Sequence, residues 1–225
     1  MSDEQNSVLV RGEGVVDADP DIATLTLGAA VRRETPVAAF DRARELAESL
    51  VALFTGRGVE RRDIQSTTVS LDPEFGQPSP NTTDRRVIGW RASSLFAVKL
   101  RDLGRIPAIL QESTALLGED AQIQGISFGL EDADALISRA RAAAFSNAQR
   151  AAGELAQLAG ARLGEVISID EQCAPSPAPL QGMQAPRAMA LTAAHGGSMD
   201  QIAPGQISVR VGVALRFALD HSTRP

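Results

Sequence analysis

The sequence predicts an α+β fold in which helices pack on antiparallel sheets. Several runs of residues alternate between apolar and polar side chains, as half-buried strands do, and other stretches carry apolar residues at helical spacing. These elements follow one another in the order ββαββαβαββ. No repeat of about 20 to 50 residues is found along the chain, so the pattern does not fit a solenoid or a propeller.

The first part of the chain predicts two strands and a helix. Residues 8–16 and 22–33 alternate, and the second run places its apolar side chains on one face. Thr35 and Pro36 are typical of a helix start, because a threonine hydroxyl accepts a backbone N–H there and proline lacks the N–H that would go unpaired. The apolar spacing that follows predicts a helix over residues 36–56.

The middle of the chain predicts a long hairpin, a short helix and a strand. Residues 64–75 and 87–100 are strand-like and are separated by a polar loop that contains two prolines. A short helix is expected over residues 103–117, followed by a strand over residues 121–130. Trp90 falls at the start of the second hairpin strand, and we expect its indole to be partly buried against a helix.

The last part of the chain predicts a long helix between strands. The helix covers residues 132–159, and its mostly alanine seam would let a packing partner approach closely. The spacing places eight residues on that seam: Leu136, Ile137, Ala140, Ala144, Ala148, Ala151, Leu155 and Leu158. Strands are predicted over residues 164–173 and 207–219, the second from an unbroken alternation.

The domain organisation is predicted as one domain over residues 8–219, and a division into subdomains 8–102 and 103–219 is left open. The segment 174–205 is rich in Ala, Pro, Gly and Met without periodicity, so we expect a flexible insertion. Its larger apolar residues predict an adaptable contact surface and hence a homo-oligomer; they are Met183, Met189, Leu191 and Met199.

The charge pattern argues against nucleic-acid binding. The net charge is −6 with a pI near 5.0, and 21 of the 22 basic residues are arginine. The sequence lacks the clustered basic stripe that phosphate backbones require. Three arginine pairs lie beside predicted turns. We interpret them either as anion-binding patches or, as is usual for charges beside turns, as solvated side chains; they are Arg32-Arg33, Arg61-Arg62 and Arg85-Arg86.

The sequence predicts neither a membrane span nor an export signal. No apolar run approaches the roughly 18 residues that a spanning helix needs. The first residues are acidic and polar and run directly into the first strand, without the basic and apolar regions of a signal peptide. We therefore expect a cytoplasmic protein.

A search for catalytic, cofactor and metal motifs finds none that fits. Gly12-Glu13-Gly14 lacks the third glycine and the following helix of a dinucleotide fingerprint, so a strand glycine pair is the better interpretation. Lys99, the single lysine, follows no glycine-rich loop, and His195 and His221 are too few and too poorly placed for a metal site. We expect no catalytic, cofactor-binding or metal-ligating residue.

The carboxylates and the single cysteine are interpreted as structural or solvated groups. A solvated edge is favoured over a general acid–base pair at two strand ends, Asp72 with Glu74 and Asp170 with Glu171. Capping and the helix dipole explain the acids at the start of the long helix, which are Glu131, Asp132 and Asp134. Acidic neighbours disfavour the thiolate of Cys173, so we expect no catalytic or peroxidatic role for it.

Several short motifs stand in a fixed order from the first strand to the last. They are Val10-Arg11-Gly12-Glu13-Gly14, Asp19-Pro20-Asp21, Asp63-Ile64-Gln65-Ser66, Leu71-Asp72-Pro73, Gly89-Trp90-Arg91-Ala92-Ser93, Val98 with Arg101-Asp102-Leu103, Ile123-Gln124-Gly125-Ile126-Ser127-Phe128, Ala140-Arg141, Gly164-Glu165-Val166 and Ala203-Pro204-Gly205-Gln206. In this order they resemble the SIMPL domain family over about residues 8–219. The sequence departs from the family at Trp90, usually tyrosine, and at Ser66, often threonine. It departs again at its start, because many bacterial members are exported and no signal peptide is recognised here.

The resemblance implies an α+β protein for which no catalytic residues are agreed. It also implies homo-oligomers, since some members form large rings, and roles in stress tolerance or partner binding. We therefore expect a non-enzymatic, homo-oligomeric assembly or interaction protein, and an unidentified protein partner is left open. The alternative is an enzyme or small-molecule binder whose site forms between subunits.

Overall fold

The computed structural model describes residues 6–76, 86–172 and 204–220, and in that part of the chain seven strands and three helices follow the predicted order. The strands are β1 (Ser7–Ala18), β2 (Ile22–Arg33), β3 (Ile64–Phe75), β4 (Val87–Leu100), β5 (Ala121–Gly129), β6 (Arg162–Gln172) and β7 (Ile207–Asp220). The helices are α1 (Pro36–Gly56), α2 (Ile106–Leu117) and α3 (Asp134–Leu158). The pairs between these strands are antiparallel, which confirms the α+β class.

The strands form two sheets, each with its own helices. A three-stranded sheet in the order β1-β7-β6 carries α3, and a four-stranded sheet in the order β3-β4-β2-β5 carries α1 and α2. Pairing in both sheets joins residues from before and after residue 102, because β1 pairs with β7 and β2 with β5. In the described part, one compact unit comprises residues 21–129 and residue 204, and the other comprises residues 6–20, 130–172 and 205–220. The domain limits 8–219 stay a prediction.

The core of the four-stranded sheet follows from the alternation predicted for β2. Five apolar side chains on one face of this strand are fully buried: Ala23, Leu25, Leu27, Ala29 and Val31. Helix α1 begins as predicted, because Thr35 Oγ1 accepts the backbone N–H of Ala38 at 3.3 Å and Pro36 opens the helix. Trp90 is half-buried and packs against this core, which confirms its predicted burial.

Helix α3 packs closely on β1 at two glycines. The buried residues of α3 recur at every fourth position: Ala140, Ala144, Ala148, Ala152 and Ala156. A Cβ atom at Gly12 would lie far inside van der Waals contact with the carbonyl oxygen of Ala144, and one at Gly14 would meet that of Ala140 in the same way. The interpretation of Gly12-Glu13-Gly14 as a strand glycine pair is therefore confirmed.

The predicted seam of α3 is wrong near the C-terminal end of the helix. Leu155 is 46% exposed and Leu158 is 85% exposed, whereas Ala152 and Ala156 are buried. The reason is the close approach to β1, which only a row of methyl groups allows. The larger leucine side chains lie off that row, toward solvent.

Some predictions concern residues outside the described part of the chain. They are those for most of the insertion 174–205 and for Arg85, Cys173, Met183, Met189, Leu191, His195, Met199 and His221. Of the helices in the described residues, none combines the length and the apolar character that crossing a membrane requires.

Candidate functional site

A shallow, open cleft of about 580 Å³ lies within the unit of residues 21–129, where β2 ends and the chain turns into α1. The described residues that line it are Arg32, Arg33, Glu34, Thr35, Ala38, Glu74, Ile88 and Gly89. Charges of both signs therefore share the cleft with a short apolar wall.

Strand pairing brings these charges together from distant parts of the sequence. Arg32 of β2 lies opposite Arg91 of β4, and Arg91 lies opposite Asp72 of β3. Side chains two residues apart on a strand share a face, so Glu74 projects on the same face as Arg32. Glu74 Oε1 lies 2.7 Å from Arg32 Nε, and the arginine side chain is 66% exposed. Such an exposed ion pair contributes about 0–1 kcal/mol to stability.

Arg33 and Glu34 are held differently. Arg33 Nη1 donates to the carbonyl oxygen of Arg32 at 2.6 Å, and Arg33 Nη2 lies 3.8 Å from Asp120. Glu34 is exposed, and within residues 6–76, 86–172 and 204–220 its carboxylate has no hydrogen-bond or ion-pair partner. The cleft thus presents the exposed guanidinium of Arg32, which is paired with Glu74, and the exposed carboxylate of Glu34, which has no partner among the described residues.

One edge strand of the four-stranded sheet has apolar side chains that project past the covering helix. Val69 and Leu71 of β3 lie opposite Ser94 and Ala92, which face the core, yet they are 67% and 38% exposed. The exposure arises because α1 packs chiefly on β2 and β4. We call Val69 and Leu71 the β3 margin.

The three-stranded sheet has an equivalent edge. Val166 and Ile169 of β6 lie opposite Phe217 and Leu215, which are buried beneath α3. The two β6 residues are nevertheless 38% and 61% exposed, because α3 packs chiefly on β1 and β7. We call Val166 and Ile169 the β6 margin.

An ion pair that the sequence analysis missed lies at one end of the β3–β4 hairpin. Arg101 Nη1 donates to Asp63 Oδ2 at 2.5 Å and Nη2 donates to Oδ1 at 3.3 Å. The hydrogen bond from Arg101 holds the pKa of the Asp63 carboxyl below its usual value, although burial of the carboxyl acts to raise it. The signal lay in the predicted hairpin, whose register places the residue before β3 near the residue after β4. Neither residue lines the cleft.

Three of the other carboxylates and arginines that the sequence analysis singled out are held by ion pairs or by a backbone N–H. Glu171 lies 2.9 Å from Arg141. Asp132 Oδ1 accepts the backbone N–H of Asp134 at 2.8 Å, although the N-cap residue of α3 is Ala133, whose side chain makes no capping hydrogen bond. In the second predicted arginine pair, Arg62 lies 2.9 Å from Glu60. Within the described ranges, no three or more His, Cys, Asp or Glu residues are grouped so that they could hold a metal ion.

Comparison with known proteins identifies the family. A family model named SIMPL, with the description "Protein of unknown function (DUF541)", matches residues 8–217. The chain therefore belongs to the SIMPL family, which confirms the resemblance.

Three relatives give the extent of the similarity. The 26 kDa periplasmic immunogenic protein of Brucella melitensis is 28% identical, over 97% of this chain and 87% of its own length. The protein of the same name from Brucella abortus has the same identity and coverage. The Uncharacterized protein YggE of Escherichia coli strain K12 is 29% identical, over 72% of this chain and 64% of its own length.

Proposed function

We propose that this member of the SIMPL family is a non-enzymatic assembly protein that associates with further copies of itself through the β3 and β6 margins. The observation that supports this most directly is that rows of paired side chains run across each sheet from the buried core to an exposed residue on the edge strand. In one row the side chains run from buried Ala29 through Ser94 to exposed Val69. In another they run from buried Leu215 to exposed Ile169.

Covering these margins is energetically favourable. Full burial of one aliphatic side chain stabilises an interface by about 1.5–3 kcal/mol. An edge strand also offers unpaired backbone N–H and C=O groups, to which a strand of another chain can pair. Because each copy has two different margins, contact of the β3 margin with the β6 margin of a neighbour would build a closed ring or an open chain of copies.

The test is the mass in solution of the wild type and of margin variants. We expect the wild type to be a multiple of 23.7 kDa by light scattering at micromolar concentration. Val69→Lys and Ile169→Lys each place a charge on a margin and should shift the particle toward 23.7 kDa. Leu158→Lys is the matched control, because Leu158 is exposed but belongs to neither margin. A wild-type particle of 23.7 kDa would refute the proposal.

Two further parts of the proposal concern location and physiological role. The name of the Brucella relatives places those proteins in the periplasm, which does not support the cytoplasmic location expected from the sequence. We therefore propose that this protein, like them, lies outside the cytoplasm, and fractionation of cells that express it from its own gene tests this.

The proposed role in stress tolerance rests on the resemblance to the family. Survival of a deletion strain in peroxide, with and without the restored gene, tests this role.

A second candidate function, binding of a small molecule, is favoured by the charged cleft. The cleft lies inside one unit of a single copy, and a site between subunits stays a prediction. Among the described residues that line it there is no histidine or cysteine, and the charged side chains that are present suit binding of a polar ligand.

A further inference from the structure

We propose that the cleft at the end of β2 binds a small zwitterion of the α-amino acid class with an aliphatic side chain. Arg32 would hold the carboxylate, Glu34 the ammonium group, and Ile88 with Ala38 the side chain. This site goes beyond the proposed self-association, because none of its residues belongs to the β3 or β6 margin.

The carboxylate position follows from the state of Arg32. Its side chain is 66% exposed, and its Nε lies 2.7 Å from Glu74 Oε1. A planar guanidinium has the geometry that binds a carboxylate through two parallel hydrogen bonds. Arg33 is less suited to this, because its terminal nitrogens are directed to the Arg32 carbonyl and to Asp120.

The charges of the described lining residues disfavour simpler ions. Arg32 and Arg33 are balanced by Glu34 and Glu74, so a multiply charged anion would meet two carboxylates and a cation would meet two guanidinium groups. A ligand with one charge of each sign avoids both repulsions. Glu34, which has no partner in the described chain, supplies the acceptor for its ammonium group.

The size and the apolar wall set the class of side chain. A volume of about 580 Å³ lies in the range of small-ligand pockets, roughly 300–1,000 Å³. Ile88 is 65% exposed although it lines the cleft, and Ala38 adds a methyl group. An aliphatic side chain that covers Ile88 would remove apolar surface of both partners from water.

The experiment is a titration with L-leucine that uses the fluorescence of Trp90. Trp90 directly follows Gly89 of the lining, and the chain has one tryptophan and no tyrosine, so the signal has a single source. We expect a saturable change in emission and a matching saturable heat by calorimetry. 4-Methylpentanoate, which lacks the ammonium group, and 3-methylbutylamine, which lacks the carboxylate, should each bind roughly tenfold or more weakly.

Variants separate this site from unspecific binding. Arg32→Gln should weaken L-leucine roughly tenfold or more, and Glu34→Gln should weaken it while reducing the preference for L-leucine over 4-methylpentanoate. Arg44→Gln and Glu48→Gln are the matched controls. These two residues form an exposed ion pair, with Arg44 Nη1 2.6 Å from Glu48 Oε1, and neither lines the cleft, so both variants should leave binding unchanged. The proposal is overturned by any of three results: no saturable signal up to the solubility limit, equal binding of 4-methylpentanoate, or unchanged affinity in both cleft variants.

Discussion

At the scale of single residues, the buried carboxylate of Asp63 depends on one partner. Asp63 is 8% exposed, and Arg101 reaches it with two nitrogens from the end of the neighbouring strand. A carboxylate in this position is stable because the guanidinium replaces the hydrogen bonds that water would make. The pair therefore ties the start of β3 to the end of β4.

This pair predicts a pH-dependent stability. The pKa of Asp63 is lowered in the folded protein, so its stabilising effect is present above the unfolded pKa of about 3.9 and is lost as the pH falls through the folded pKa. Asp63→Asn should reduce the free energy of unfolding by about 1–3 kcal/mol at neutral pH and by less at about pH 3. Urea unfolding followed by Trp90 fluorescence measures both values, with Asp41→Asn, exposed on α1, as control. If the free energies of unfolding of the wild type and of Asp63→Asn differ by the same amount at both pH values, the prediction is contradicted.

Ser113 makes the opposite case, a buried polar group without a partner. Its side chain is fully buried in α2, and in the described part of the chain its hydroxyl oxygen makes no hydrogen bond. Ser113→Ala removes this group and adds helix propensity, so it should raise the free energy of unfolding by about 1 kcal/mol. Ser146→Ala is the control, since the Ser146 hydroxyl is exposed and donates to Ala142 at 2.9 Å. Thermal unfolding measures the effect, and a lower midpoint for Ser113→Ala than for the wild type would count against the prediction.

At the scale of elements, the packing of α3 on β1 depends on the missing side chains of Gly12 and Gly14. A methyl group at either position meets the backbone of the helix, which cannot move aside as a flexible side chain would. Gly12→Ala or Gly14→Ala should cost about 1–3 kcal/mol or more of stability. Gly153→Ala, inside α3 with open space around it, should instead stabilise by about 0.5–1 kcal/mol. Chemical denaturation of the three variants measures whether the free energy of unfolding falls for the two β1 variants and rises for Gly153→Ala.

Sequence patterns predicted the elements better than they predicted the contacts between them. The bounds of β2 and α1 were predictable because alternation, an N-cap and a proline are local signals. The exposure of Leu155 was not, because helical spacing does not reveal that two glycines on another strand draw the alanine row inward. The cleft was equally hidden, since Arg32 and Glu74 meet only through the pairing of β2, β4 and β3.

At the scale of the whole molecule, the two compact units differ in how the chain builds them. Apart from Pro204, the described residues of the unit of residues 21–129 come from one stretch of sequence, with its own sheet, two helices and a core that includes Leu25, Leu50 and Phe96. The other unit needs β1 from the start of the chain and β7 from near its end, and β7 lies between β1 and β6. Its α3 packs most extensively on β1.

This difference predicts how fragments of the protein fold. A fragment of residues 21–129 should fold alone and unfold cooperatively, because its size is typical of independent domains and its core is complete within it. A fragment of residues 130–225 should not fold alone, because α3 loses the glycine surface of β1 and β7 loses a twelve-residue ladder. Adding a peptide of residues 6–20 should restore structure to the second fragment, whereas the same peptide with Gly12→Ala and Gly14→Ala should not. Circular dichroism and denaturation of each sample check these outcomes, and cooperative folding of residues 130–225 without the peptide would show that β1 is dispensable to that unit.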